Sequence, residues 1–230
     1  FDSRSVTQQS LFVAVKGIHQ DGHTYINNAV DNGAVAVLCE HIPDILIDKV
    51  VYMSCENTRQ ALATVASQWY NTPSKALKLI GITGTNGKTS VATMAYQLFD
   101  KIGFATGLLS TVEIRIIKKI VPSTHTTPDS LTINKNLREM VDAGVTHCFM
   151  EVSSHGIDQD RIVDLYFSGG VFTNLSHDHL DYHNDFKSYR DTKKIFFDKL
   201  GTTAFALSNA DDKNGRYMLQ NTKASKYFFG

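Results

Sequence analysis

The sequence predicts an α/β protein of two modules, the second built on a mainly parallel sheet. Three observations carry that expectation. Residues 79–90, LIGITGTNGKTS, read as a buried strand, a glycine-rich turn and a helix start in direct succession. Beyond them, apolar runs of strand length alternate with helical segments, the pattern of parallel strands joined by crossover helices. Ahead of them, the turn-rich cluster Asn71-Thr72-Pro73-Ser74 separates an apparent helix from the strand that feeds the glycine turn, which gives expected modules at 1–75 and 76–230.

In the first module, residues 11–15, 34–38 and 50–53 read as strands and 25–32 as a helix ended by Gly33, followed by a helix over about 58–69. In the second, a helix follows Lys88 and residues 107–120 hold a two-stranded excursion. Pro128-Asp129-Ser130 then opens a helix that stops before Gly144. Strands are expected at 147–152, 170–173 and 204–207, a helix at 185–200, and a last strand at Tyr227-Phe228-Phe229. No internal repeat or low-complexity tract is present. Both ends look cut, since Phe1-Asp2-Ser3-Arg4 begins in the middle of a motif.

Of the 230 residues, 42% are hydrophobic, enough for one large core or two modest ones, and the alternation favours two. Lys plus Arg and Asp plus Glu are both 23, so no global field recruits nucleic acid or an anionic membrane, and any anionic ligand must be bound locally. Cys39, Cys55 and Cys148 lack metal-ligand spacing and are expected to be reduced thiols without chemistry. No apolar run reaches membrane-spanning length and no leader opens the chain, which points to a cytoplasmic protein without membrane insertion.

The glycine turn is a candidate phosphate cradle. Gly84 and Gly87 permit positive φ and close approach of the backbone to a ligand, so that amide N–H groups and a helix N-terminus converge on an anion. Lys88 would reach the terminal phosphates and the Thr89 hydroxyl a magnesium ion. The spacing Gly81, Gly84, Gly87-Lys88-Thr89 departs from a strict Walker A, and an ordinary turn capped by Thr85 or Asn86 is the competing reading.

Two polar clusters follow at strand ends. Glu151, with Ser153, Ser154 and His155 after it, emerges from a central strand, where a carboxylate beside a phosphate loop holds Mg²⁺ directly or through water; the alternative is a surface residue. Residues 173–183 concentrate His177, His179 and His183 with Asp178 and Asp181. They lack closed zinc spacing, so one histidine on a hard-cation site is favoured over a histidine cage, the others capping the next helix, binding substrate or serving structure. On the 185–200 helix, Phe186, Tyr189, Phe196, Phe197 and Leu200 form one apolar stripe, and Lys193 falls inside it. Lys193 is therefore either snorkelling or functional, whereas Lys187, Lys194 and Lys199 are expected on solvated flanks.

Taken in order, these motifs resemble the Mur ligases of peptidoglycan synthesis over nearly the whole chain. Gly84-Thr85-Asn86-Gly87-Lys88-Thr89 matches the family's ATP loop, and Asp2-Ser3-Arg4, Leu11-Phe12-Val13-Ala14 and Asp21-Gly22 match its UDP-sugar module. Thr126-Thr127-Pro128, Glu151-Val152-Ser153-Ser154-His155, Gln159 with Arg161, Phe172-Thr173-Asn174 and 178–183 follow in the family's order. The resemblance implies ATP contacts at Gly84, Thr85, Asn86, Gly87, Lys88, Thr89, Ser90 and Asn174. It implies uridine-nucleotide contacts at Ser3, Arg4, Ile18, His19 and Gln20. It places the muramoyl peptide on His125, Thr126, Thr127, Ser153, Gln159 and Arg161, with His125 standing where many relatives have asparagine. Thr89, Glu151 and His179 become magnesium ligands, and Lys193 becomes a lysine carbamylated by CO₂ that supports a second metal. Lys88, Glu151, His179 and Lys193 are the implied catalytic set.

The same resemblance implies a ligase that uses ATP and Mg²⁺ to add the third stem-peptide residue to UDP-N-acetylmuramoyl-L-alanyl-D-glutamate through an acyl phosphate. The amino acid is meso-diaminopimelate by preference, or L-lysine. The family's third, C-terminal domain has no counterpart in these residues, so the chain alone is expected to be inactive in ligation, and it is expected to be monomeric. Competing readings are a folylpolyglutamate- or cyanophycin-synthetase-type ligase and a P-loop nucleotide switch.

Overall fold

Parallel pairing dominates both sheets of the protein. The computed structural model describes residues 1–230 except 19, 124, 177–179 and 184, and describes only the backbone of 180 and 181. The described chain divides into two units, Phe1–Ala66 and Ser67–Gly230.

In the first unit, β1 (Ser10–Val13), β2 (Ala34–Cys39) and β3 (Val51–Ser54) pair in parallel in that order. Helix α1 (Ile26–Asp31) leads from β1 to β2, and Gly33, at φ +110°, makes the turn between helix and strand. Phe12, Ala14, Ile26, Ala29, Val37 and Cys39 form this unit's buried core. Helix α2 (Thr58–Trp69) holds the division between Ala66 and Ser67 inside its length, while Pro73–Lys75 forms a separate 3-10 turn.

The second unit is built on β4 (Lys78–Thr83), β5 (Thr106–Leu109), β6 (Glu113–Ile116), β7 (Lys119–Pro122), β8 (His147–Glu151), β9 (Phe167–Phe172), β10 (Phe205–Asn209) and β11 (Ser225–Phe229). Their spatial order is β11-β10-β9-β4-β8-β5-β6-β7, all parallel except the antiparallel pairings of β6 with β5 and β7. The excursion expected over 107–120 is thus the β6–β7 hairpin, paired onto the end of β5. Helices α3 (Lys88–Lys101), α4 (Ser130–Asp142), α5 (Ser154–Asp158), α6 (Leu180–His183), α7 (Phe186–Asp198) and α8 (Gly215–Met218) fill the connections.

Caps mark where several helices begin. Asp129 accepts the Thr132 N–H at 2.9 Å to start α4, and Asp185 accepts the Ser188 N–H at 2.7 Å to start α7. Strand β4 reads as a continuous apolar run because it is buried between β8 and β9. Its alternate residues serve different cores: Leu79 packs with Met140, Cys148 and Phe197, and Ile80 and Ile82 with Ala92, Tyr96 and Phe149. Gly81 is glycine for packing, since a Cβ there would lie 2.5 Å from the Phe196 ring.

Chain order makes the carboxyl end of β4 a switch point. From β4 the chain crosses to β5, returns through β8 at β4's flank, and then builds β9, β10 and β11 on the other side. A crevice at such a point is where open parallel sheets bind ligands.

Candidate active site

The loop leaving β4 is held from the end of β9. Thr85 donates its N–H to the Asn174 carbonyl at 2.8 Å, and the Asn174 side chain brackets Asn86, accepting its N–H at 3.0 Å and donating to its carbonyl at 3.1 Å. The Thr173 hydroxyl donates to the same Asn86 carbonyl at 2.7 Å. Gly84 is required by this closeness, because a Cβ there would fall 2.0 Å from Thr173 Oγ1. Gly87 serves differently. At φ +81° it is the N-cap of α3, and nothing lies within 4 Å of where its side chain would begin, the open space an anion at a helix N-terminus needs.

Two lysines close on this loop. Lys88 Nζ donates to the carbonyls of Gly84 at 3.0 Å and Thr85 at 2.8 Å. Lys193, only 1% exposed, donates to the Gly84 carbonyl at 3.1 Å and sits 4.6 Å from the centre of the Tyr189 ring. Tyr189 is fully buried, and its hydroxyl lies 3.2 Å from Thr85 Oγ1, so one aromatic side chain touches both the loop and the lysine. The expectation for Lys194 is corrected here: it is 6% exposed, bonded to both Asp198 carboxylate oxygens at 2.7 Å, and 5.7 Å from the Tyr217 ring centre. Helical period alone placed it on a flank, but Tyr217 of α8 covers that flank. Ile195, at 40% exposure, occupies the solvated side instead.

Glu151, fully buried at the end of β8, faces the first turn of α3. Its Oε2 accepts the Thr89 hydroxyl at 3.0 Å, and its Oε1 accepts the backbone N–H of Thr111 at 2.8 Å. A hydroxyl and a carboxylate at the mouth of a phosphate loop are hard oxygen donors that suit Mg²⁺ completed by water and nucleotide. Among the described residues no group of three His, Cys, Asp or Glu side chains is placed to hold a metal ion. His177, Asp178 and His179 lie outside the described residues.

The candidate peptide-binding residues converge on the same strand end. Thr127, 1% exposed, donates its hydroxyl to the Glu151 carbonyl and accepts the Ser153 N–H, each at 2.9 Å. Ser153 caps α5 by accepting the Gly156 N–H at 3.0 Å. Arg161 donates to the Thr127 carbonyl at 2.6 Å and to Gln159 Oε1 at 2.7 Å, and Gln159 donates to the Tyr182 hydroxyl at 3.2 Å. Rings continue the network, with centroid separations of 4.1 Å for His155 and Tyr182, 4.7 Å for Tyr182 and His183, and 5.2 Å for His183 and Tyr189.

This loop, carboxylate and strand-end network coincide with a recorded family pattern. Residues 82–230 match the profile described as the Mur ligase middle domain, and residues 1–70 match that described as Mur ligase family, catalytic domain. The chain belongs to the Mur ligase family. It is 52% identical over its whole length to the UDP-N-acetylmuramoyl-L-alanyl-D-glutamate–2,6-diaminopimelate ligase of Cytophaga hutchinsonii, covering 47% of that protein. Identity is also 52% to the ligase of the same name from Parabacteroides distasonis, over 98% of this chain and 46% of that one. A solved structure of a ligase of that name superposes with a TM-score of 0.84 at 26% identity, covering 99% of this chain and 47% of that one. The chain therefore spans about half the length of the curated relatives it matches.

Of the remaining candidate residues of this Mur ligase, Ser3, Arg4, Ile18 and Gln20 lie in the first unit and His125 in the second. Ser3, 7% exposed, opens a short 3-10 turn capped by Asp2, and its carbonyl accepts from Asn32 at 2.9 Å. The Arg4 guanidinium, bonded to Asp2, holds that carboxyl down at about 2. Gly17 donates its N–H to the Gln20 carbonyl at 2.8 Å, Ile18 is exposed, and His19 lies outside the described residues. His125 is exposed, and its carbonyl accepts the Ser123 hydroxyl at 2.9 Å. The structure adds Thr111 and Tyr189 to the site. Tyr189 was legible only as an apolar stripe residue, and Thr111 only as a polar residue just after the apolar run at 108–109. Among the described residues, no helix is long and apolar enough to cross a membrane.

Proposed function

We propose that this chain is the nucleotide-binding part of the enzyme that adds meso-diaminopimelate, or else L-lysine, to UDP-N-acetylmuramoyl-L-alanyl-D-glutamate. The observation that carries the proposal is the position of Glu151. Its carboxylate meets Thr89 of the phosphate loop, while its own carbonyl anchors Thr127 of the segment assigned to the muramoyl peptide. These contacts support a reading in which phosphoryl donor and acceptor would meet at one strand end, and the name carried by the relatives at 52% identity supports the substrate.

In the reaction, the side-chain carboxylate of the D-glutamyl residue takes the γ-phosphoryl group of ATP, giving an acyl phosphate and ADP. The incoming amine then attacks the acyl carbon, the C–O bond to phosphate breaks with its electron pair going to phosphate, and the amine gives up a proton as the amide forms. Thr89 and Glu151, with His179, would hold Mg²⁺, and a Lys193 carbamate a second ion, which supplies neutralisation of the phosphoryl oxygens. Lys88 would release its loop carbonyls and turn to the terminal phosphates. Backbone and Asn174 keep the loop in the one shape that places them. Residues 1–75 would hold the uridine nucleotide through Ser3, Arg4 and the 18–20 turn, and 76–230 would hold ATP. The enzyme would work as a cytoplasmic monomer.

The full-length protein should sustain multiple-turnover ADP release only when UDP-N-acetylmuramoyl-L-alanyl-D-glutamate and an amino acid are both present, with meso-diaminopimelate the best of a panel including L-lysine. ADP release indifferent to the muramoyl dipeptide would overturn the proposal, whatever the amine.

A further inference from the structure

We infer that Thr111 is a positioning residue for this ligase, one that sets the rotation of the Glu151 carboxylate and ties it to the peptide-binding segment. The inference rests on the proposed role of Thr89 and Glu151 as the magnesium-binding pair.

Topology brings Thr111 there. Strands β5 and β8 are parallel neighbours, and Leu109 pairs with Met150. Glu151 follows Met150 directly as the last residue of β8, and Thr111 stands two residues past Leu109, after Ser110, in the turn between β5 and β6. That turn is fixed by Ser110, whose hydroxyl donates to the Glu113 carbonyl at 2.8 Å and whose N–H reaches the same oxygen at 3.1 Å.

The contacts divide the carboxylate. Thr111 gives its N–H to Oε1 at 2.8 Å, and its hydroxyl stands 3.2 Å from Oε2 and 3.1 Å from Thr126 Oγ1. Thr89 reaches only Oε2. A hydroxyl that binds a cation through an oxygen lone pair keeps its proton, so Thr89 can go on holding Oε2, but it leaves Oε1 to another donor. Thr111 is the donor to Oε1, and with its second contact on Oε2 it fixes the rotation of the group. Its single proton serves either Glu151 or Thr126, so a substrate that engages Thr126 changes what Thr111 offers the carboxylate.

Thr111 is itself exposed, although the carboxylate it holds is fully buried, so it can be replaced without opening the core. The test uses full-length protein saturated with a non-hydrolysable ATP analogue and titrated calorimetrically with MgCl₂. Thr111→Val keeps the backbone bond and loses the hydroxyl. It should raise the apparent magnesium dissociation constant roughly three- to tenfold, with Thr111→Ser within about twofold of wild type. Melting temperatures of both should stay within about 1 °C of wild type, and Glu151→Gln should lose the magnesium isotherm. A Thr111→Val protein that titrates like wild type beside a Glu151→Gln protein that does not bind would overturn the inference and leave the magnesium pair standing. Thr111→Ser as weak as Thr111→Val, or a loss matched by a fall in melting temperature, would also overturn it. Normal titration by Glu151→Gln would instead sink the magnesium pair itself.

Discussion

Lys88 and Lys193 donate to one carbonyl oxygen, that of Gly84, at 3.0 and 3.1 Å. One lysine opens α3 and the other lies on α7, so the loop between them is gripped from two elements far apart in sequence. A carbonyl has two lone pairs and accommodates both amines, but while Lys193 is uncarbamylated two like charges meet on one atom and repel. Anionic phosphates entering the loop would relieve that repulsion, and each lysine has its own predictable part.

Replacing Lys88 with Ala should lower kcat of the full-length enzyme by about 10²–10³-fold, the loss typical of removing one donor to developing charge. The melting temperature should move little, because Lys88 is only half-buried and the carbonyls it donates to belong to a loop. Near-normal turnover at saturating ATP would show that the loop is not the phosphoryl-transfer site.

Gly84→Ala and Gly87→Ala should separate cleanly. The first forces a Cβ to within 2.0 Å of Thr173 Oγ1 and must push the loop off β9, which should abolish ATP binding in a calorimetric titration. The second meets no atom within 4 Å and bears only the strain of a φ near +81°, about 1 kcal/mol, so affinity should fall by roughly tenfold or less. Equal losses for the two would mean that packing against Thr173 does not shape the loop.

Lys193→Ala should be nearly inactive yet well folded, and small carboxylic acids added to the assay should restore part of the activity if a carbamate normally supplies a carboxylate there. Lys194→Ala should do the reverse. It loses a buried stem and strands Asp198, costing about 1–2 kcal/mol and several degrees of melting temperature, while the folded fraction keeps its kcat. Activity per folded molecule that fell alike in both variants would contradict the separate roles.

His147 gives the second unit a pH dependence. It packs against the rings of Phe104 and Phe99, with centroids 4.6 and 5.1 Å away, and burial, helped by the charge of Lys78, pushes its pKa below the ordinary 6.5. The unfolded chain therefore binds this proton more readily than the folded one, and stability falls as pH drops below about 6.5. His147→Gln should flatten that part of the curve between pH 7.5 and 5.5, read as denaturant midpoints. An unchanged slope would assign the acid sensitivity to other groups.

Local chemistry determined much of this protein from sequence. An apolar run, Gly84, Gly87 and Lys88 could form little but a strand, a tight turn and a helix start. Asp129 and Asp185 announced their helices because a cap is written within three residues of what it caps. The stripe on α7 exposed Lys193 as a misplaced charge, since helical period is a property of the chain alone. What tertiary structure decided was every relation across strands. Asn174 clamps Asn86 because β9 lies beside β4, and Thr111 reaches Glu151 because β5 lies beside β8, neighbours that parallel crossovers set and no local pattern records. Lys194 was misplaced for the same physical reason: period tells which face of a helix a residue occupies, but only the packed fold shows that Tyr217 covers that face.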